Sequence, residues 1–222
     1  MTLRRSLLTA LARSASGVAM TEFALSLPLV LMAGLWGTEE AHLAITHMRI
    51  NQLAIHIADN ASRIGDTSNL ESRKIYENDI NDLLEGAAIQ SGSLDFFNHG
   101  RAIVSSLEVN AEDEQYIHWQ RCRGTKTWAS HYGEEGHVLP ISSPGMGPAG
   151  AEVQALPDGA VIFVELAYDY EPLIDVPFAR GQQITSVASF MVRDKRDLSR
   201  IYQRDPASPD PVADCTAITF GG

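Results

Sequence analysis

The chain has 222 residues, of which 45% are hydrophobic, and its 28 acidic residues outnumber its 17 basic residues to give a net charge of -11. A chain of this length supplies one folded core with attached segments rather than two full domains. The acidic balance repels phosphate backbones, so nucleic acid is excluded as an expected partner.

The first segment of the chain is basic. The only charged residues among the first 17 are Arg4, Arg5 and Arg13. An apolar run follows, and its stretch from Phe23 to Gly37 contains no charged side chain. Residues 18–37 would form a helix of about 30 Å, the thickness of a bilayer core.

We therefore predict a basic leader at 1–17 and a single transmembrane segment at 18–40. Because the basic residues precede the run and Glu39 and Glu40 follow it, the positive-inside rule predicts a cytoplasmic N-terminus and an extracytoplasmic remainder. A cleaved signal peptide is an alternative, but the residues around Trp36 offer no small-x-small cleavage motif. A buried helix of a soluble protein is disfavoured by the length of the run and by its basic flank.

The apolar run begins with a glycine and an acid at a defined spacing. From Gly17 the sequence reads GVAMTEF, which places Glu22 fifth when Val18 is counted first. A carboxylate within the bilayer costs roughly 2.5–3.5 kcal/mol, so Glu22 is a candidate functional residue. An α-amine created at Val18 would lie one helical turn away and is a candidate partner. A position at the headgroup level is the alternative interpretation of Glu22.

Beyond the membrane we predict that the helix continues over 41–65. Apolar residues recur there every seven positions, at Leu43, Ile50, Ile57 and Ile64. This spacing indicates a helix with one narrow apolar stripe. Gly65 is the predicted stop, since glycine readily adopts the positive φ of a helix C-terminus.

Residues 66–222 are predicted to form an extracytoplasmic α+β domain with a second short helix and an antiparallel sheet of about four strands. The helix is expected over 69–86, ending at Gly86. The expected strands run over Ile103–Asn110, Gln115–Cys122, Val161–Tyr170 and Gln183–Val192. A segment rich in Gly, Pro and Ser, 123–159, is interpreted as a long surface loop outside the core.

Cys122 and Cys215 are the only cysteines of the chain. Neither belongs to a CxxC motif, and both lie on the predicted outer side of the membrane. They are therefore interpreted as a disulfide that ties the C-terminal tail to the second strand. Two buried free thiols are the alternative.

Several segments resemble one family. GVAMTEF resembles the type IV prepilin cleavage signature. VIFVELAYDYEPLIDVPF and ITSVASFMVRDKRDLSRIY resemble the C-terminal strands of TadE-like proteins of the tight adherence (Flp) pilus systems, and YIHWQRCRG around Cys122 is similar to the same family. The EFAL opening, followed by a Leu-rich run and then by Glu39 or Glu40, resembles its N-terminal half.

The resemblance implies a role and a set of partners. It implies that a prepilin peptidase cuts after Gly17, that Val18 becomes the mature N-terminus, and that Glu22 neutralises the amine of a neighbouring subunit. The expected partners are other pilin-like subunits and pilus assembly proteins, in the bacterial inner membrane with the domain in the periplasm. The alternative function is a permanently anchored extracytoplasmic binding or scaffold domain that never enters a filament.

An enzymatic function is not expected. The sequence contains no HExxH, no GxSxG and no phosphate-binding glycine loop. His131 and His137 flank Glu134 and Glu135, but this flexible, polar segment is a poor metal site. We therefore predict no catalytic residue, no metal and no cofactor.

Overall fold

The chain forms one long helix, a shorter helix and a four-stranded sheet, and it belongs to the α+β class, as predicted. A computed structural model describes residues 15–65, 72–140, 142–174 and 181–216. Most of the predicted leader, residues 1–14, therefore lies outside the described residues. The chain divides into two compact units, one of Met1–Ala44 with Pro172–Ala179 and one of Ile45–Glu171 with Arg180–Gly222.

Helix α1 runs from Ala15 to Ala61 without interruption and passes through Pro28. Its 47 residues correspond to a length of about 70 Å. It is the one candidate membrane span among the described residues, and its most apolar window of 18 residues is not buried by the protein at all. A core helix of a soluble protein would be mostly buried there, so this exposure favours a membrane span.

The second half of α1 is amphipathic, as the heptad spacing predicts. Ile50 and Ile57 of the predicted stripe are fully buried, whereas Leu43 and Ile64 are half-buried. The remaining buried apolar residues of this half are Leu53, Ala54, Ala58 and Ala61. One side of the helix thus supplies part of the core of the second unit.

Helix α1 ends at Ala61, earlier than predicted, and its last carbonyls are bound by a side chain that sequence reasoning missed. Arg196 Nη2 donates to the carbonyl oxygens of Ala61, Ser62 and Ile64 at 3.3, 3.1 and 3.0 Å. A helix C-terminus leaves its final carbonyls without intrahelical partners and carries partial negative charge, and the guanidinium satisfies both needs. Burial lowers the pKa of Arg196 to about 10.

The second helix, α2, spans Glu77–Ser91, so the predicted range of 69–86 is wrong at both ends. Residues 73–76 instead lie beside the C-terminal segment, with parallel bridges from Arg73 to Arg196 and from Tyr76 to Tyr202. At the other end, the Ala-Ala pair after Gly86 favours helix strongly enough for α2 to continue. The stop is Gly92, whose φ of 52° suits glycine.

The sheet consists of β1 (Gly100–Val109), β2 (Gln115–Arg123), β3 (Val161–Asp169) and β4 (Gln183–Met191). Its order is β2-β1-β3-β4, and every neighbouring pair is antiparallel. The strands lie within three residues of the predicted bounds, and the predicted hairpin connects β1 to β2. The predicted sheet is therefore confirmed.

The central strands β1 and β3 are buried along almost their whole length, so both faces of the sheet are covered. On one face Arg121 forms an ion pair with Glu77 at the start of α2, and Phe96 of the short helix α3 (Phe96–His99) stacks on Tyr168. Side chains alternate along a strand, so Phe163 of β3 faces the opposite side.

The opposite face is covered by the 123–159 segment, and the expectation that this segment lies wholly outside the core is wrong. Leu139, Met146 and Ala155 of the segment are buried. They form a hydrophobic cluster with four strand residues, Leu107, Ile117, Val161 and Phe163. The segment is irregular because of its Gly and Pro content, but its few apolar side chains close the second face of the sheet.

We expect the buried stripe of α1 to hold the second unit together. Ile57 is 1% exposed and Ile55, on the same helix, is 49% exposed. Ile57→Ala should lower the free energy of unfolding by about 2–5 kcal/mol, because it removes buried methyl groups and leaves a cavity. Ile55→Ala is the matched control and should change it by less than about 0.5 kcal/mol. Urea unfolding of the purified chain in detergent, followed by tryptophan fluorescence, measures both; equal losses would contradict the packing.

Candidate functional site

Gly17, Val18 and Glu22 lie in the first turns of α1, which begins at Ala15. Val18 and Glu22 are four residues apart and therefore lie on the same side of the helix. The Thr21 hydroxyl donates to the Val18 carbonyl oxygen at 2.8 Å. The predicted processing site and the predicted intramembrane acid thus form one short, continuous helical segment.

Gly17 has no local packing reason to be glycine. A Cβ added at this position would meet no atom of the described residues within 4 Å, and Gly17 does not have a positive φ. Glycine in a helix costs roughly 0.5–1 kcal/mol relative to alanine. This cost in helix stability is not offset by any packing requirement for glycine at position 17 among the described residues.

The Glu22 carboxylate lies on an apolar surface. Its exposed neighbours include Val18, Met20, Phe23 and Leu25, and Glu22 is itself exposed. Among the described residues, none forms a hydrogen bond or an ion pair with the Glu22 carboxylate. Arrangements of this kind are costly in lipid unless another group, on the same or on a second molecule, neutralises the acid.

The two acids that follow the apolar run differ in their surroundings. Glu39 is buried, and its Oε2 accepts the backbone N–H of Ile174 at 3.0 Å. Glu40 is exposed. The sequence alone did not distinguish the surroundings of these two acids. The contact with Ile174 distinguishes them, and no local signal could have revealed a partner so distant in the sequence.

Cys122 and Cys215 form the predicted disulfide, with their Cα atoms 4.7 Å apart. The backbone also ties the tail to β2, since the N–H of Cys122 donates to the carbonyl of Ala213 at 2.8 Å. Arg101 of β1 donates from Nη2 to the carbonyl of Cys215. The C-terminal segment is thus held to the sheet by one covalent bond and two hydrogen bonds.

Two buried charged residues beside the disulfide were not singled out in the sequence. Arg101 and Ile103 line a cavity of about 410 Å³ together with Trp128 and Cys215, and burial lowers the pKa of Arg101. Glu165 of β3 is also buried, and burial raises the pKa of its carboxyl group. Its oxygens accept the Ser130 hydroxyl and the His131 N–H, so this acid holds the 123–159 segment on the sheet.

A Ser-Glu-His group lies at the other end of β1 and β2. Glu108 accepts the Ser106 hydroxyl at 2.6 Å and contacts His118 Nδ1 at 2.8 Å. The hydrogen bond to Glu108 raises the pKa of His118. The serine contacts the carboxylate rather than the imidazole, so it lacks the adjacent base that activates a nucleophilic serine.

The residues weighed as metal ligands form no such cluster where the structure describes them. No group of three or more His, Cys, Asp or Glu side chains among the described residues is placed to hold a metal ion. Glu135, one of the acids between His131 and His137, instead forms an ion pair with Arg121 at 2.9 Å.

A scan against protein-family models finds no match for this chain, and searches of curated proteins and of solved structures find no similar protein. The functional interpretation therefore depends on the residues and their geometry.

We expect the disulfide to be fully formed in the isolated protein and to be important for stability. Cys122→Ser, Cys215→Ser and the double variant should each lower the free energy of unfolding by about 2–5 kcal/mol, since any of them opens the same bridge. Thiol labelling before and after reduction, combined with urea unfolding, tests both points. Labelling of both cysteines in the unreduced native protein would contradict the bridge.

Proposed function

We propose that this chain is a TadE-like, pilin-type membrane protein without enzymatic activity. In this proposal it is anchored by one span and supports the assembly of a tight adherence (Flp) pilus or a related secretion filament. Its partners are a prepilin peptidase, other pilin-like subunits and pilus assembly proteins. The proposal also places it in the bacterial inner membrane, with its domain in the periplasm.

The observation that carries the proposal is Glu22 on the exposed apolar surface of α1. The apolar residues around it are suited to lipid or to another apolar helix, and the carboxylate is suited to neither unless it is neutralised. A free α-amine at Val18 of an adjacent subunit would be largely protonated at neutral pH and would supply the missing charge. The acid then favours a defined register between packed helices.

Gly17 supports processing at the same end of the helix. Among the described residues an added Cβ would meet no atom, and Gly17 has no positive φ, as is also true of Gly34 and Gly37 within the span. A peptidase must approach the backbone closely at its cleavage site, and this requirement would explain the glycine at position 17. Cleavage there would also create the amine that the role of Glu22 requires.

Two further features support the orientation. The three arginines of the first 17 residues precede the span, which favours a cytoplasmic N-terminus. The disulfide between Cys122 and Cys215 lies after the span, and such bonds persist in oxidising compartments such as the bacterial periplasm. Both features indicate the same orientation, although they depend on different physical chemistry.

We expect processing to depend on Gly17. Co-expression with a prepilin peptidase should shorten the wild-type chain by the 17-residue leader, whereas Gly17→Leu should keep it. Gly34→Leu is the matched control, because Gly34 also has open space around it but lies within the span. Mass spectrometry of the purified proteins identifies the terminus. An unshortened wild-type chain would favour the permanently anchored scaffold domain, and a new terminus near residue 38 would favour a signal peptide.

We also expect Glu22→Leu to separate insertion from assembly. The change removes an intramembrane carboxylate whose cost is roughly 2.5–3.5 kcal/mol, so the variant should accumulate in the membrane with its disulfide formed. It should nevertheless fail to co-purify with the other pilin-like subunits, because the helix amine loses its counter-charge.

Glu22→Gln should fail in the same assay if the pairing is ionic. Thr21→Leu, which removes a neighbouring polar group without removing charge, should assemble normally. Normal piliation with Glu22→Leu would contradict the pairing role and would leave Glu22 as an interfacial residue.

A further inference from the structure

The connection that leaves β3 belongs to the same compact unit as the first part of α1. Pro172–Ala179 clusters with Met1–Ala44, and its described part comprises Pro172, Leu173 and Ile174. The backbone N–H of Ile174 donates to Glu39 Oε2 at 3.0 Å. Glu39 is only 7% exposed, so this carboxylate is enclosed within the unit and its contact is shielded from water.

The position of Glu39 on the helix fixes the level of this contact relative to the span. The charge-free run ends at Gly37, and two residues of helix add about 3 Å. The Ile174 backbone is therefore held within about one helical turn of the end of the apolar run. In a bilayer of matching thickness, this is the level of the headgroups.

The composition of the described part of the connection suits that level. Pro172, Leu173 and Ile174 carry no charge, and Leu173 is 64% exposed. On the helix, the last turn of the apolar run presents Trp36, an amphipathic aromatic residue of the kind enriched at membrane interfaces. An exposed leucine beside the end of a span can bury its side chain in the interface without any rearrangement of the helix.

We propose that Leu173 is a second membrane contact and that it enters the interfacial layer of the bilayer that α1 spans. The Glu39 carboxylate is the positioning group, because it fixes the backbone of Ile174 at the end of the span. Lipid is the occupant because the exposed Leu173 adjoins Ile174, whose backbone is bound to Glu39 two residues after the charge-free run of the same unit. The inference depends on the membrane-spanning part of the proposed function and is independent of the pilus.

The test uses single-cysteine probes in the full chain, whose own cysteines are joined in a disulfide and do not react. A fluorophore is attached to Leu173→Cys, to Leu29→Cys within the span and to Leu156→Cys in the other compact unit. These three leucines are 64%, 65% and 59% exposed. The proteins are reconstituted in phosphatidylcholine nanodiscs that contain lipids spin-labelled near the headgroup.

We expect the Leu173 probe to lose much of its fluorescence to the spin-labelled lipid and the Leu156 probe to lose little. Glu39→Ala should reduce the quenching at position 173, since it frees the Ile174 N–H. Glu39→Gln should keep it, because the amide oxygen accepts the same hydrogen bond. Glu40→Ala controls for the loss of one negative charge at the same level.

The outcomes distinguish failure of the second membrane contact from failure of the membrane span itself. A Leu173 probe that loses no more fluorescence with spin-labelled lipid than with unlabelled lipid overturns the second contact, provided that the Leu29 probe is quenched by lipids labelled along the acyl chain. An unquenched Leu29 probe overturns the membrane span itself, and with it the proposed function. A Leu173 probe that stays in water in nanodiscs and becomes shielded only when another protein is added also overturns the lipid contact.

Discussion

One continuous helix, α1, carries two different side-chain patterns, and the rest of the structure depends on both. From Val18 to Gly37 its side chains are exposed on all sides and apolar except for Thr21, Glu22 and Ser26, whereas from Ile50 onward most apolar residues lie on one side and that side is buried. The two patterns match lipid and a protein core, respectively.

The second unit buries both faces of its sheet. Because β1 and β3 are buried along almost their whole length, covering one face with helical residues would leave the other exposed to water. The chain covers it with an irregular segment that brings only Leu139, Met146 and Ala155 into the core. The polar groups of the segment then need partners, and Glu165 supplies acceptors for two of them.

Sequence reasoning succeeded where the signal was local and failed where it was distant. The strands and the stripe through Ile50 and Ile57 follow from alternation and from heptad spacing, which the neighbouring residues determine. The buried role of the 123–159 segment was missed because its three core residues are scattered among Gly and Pro. The contacts of Glu39 with Ile174 and of Arg196 with Ala61 were missed because each partner lies 135 residues away in the sequence.

The charges that this protein buries show what is unusual about Glu22. Glu39 accepts a backbone N–H, Glu165 accepts a hydroxyl and a backbone N–H, and Arg196 donates to three carbonyls. In each case the fold provides long-range hydrogen bonds that offset the cost of removing a charge from water. Glu22, which lies on the candidate membrane span, receives no such hydrogen bond from any described residue. Three nitrogens of Arg101 and Arg196 are also buried without a hydrogen-bond partner, but each of these residues donates to backbone carbonyls through its Nη2. The group that satisfies Glu22 is therefore best sought on a second molecule.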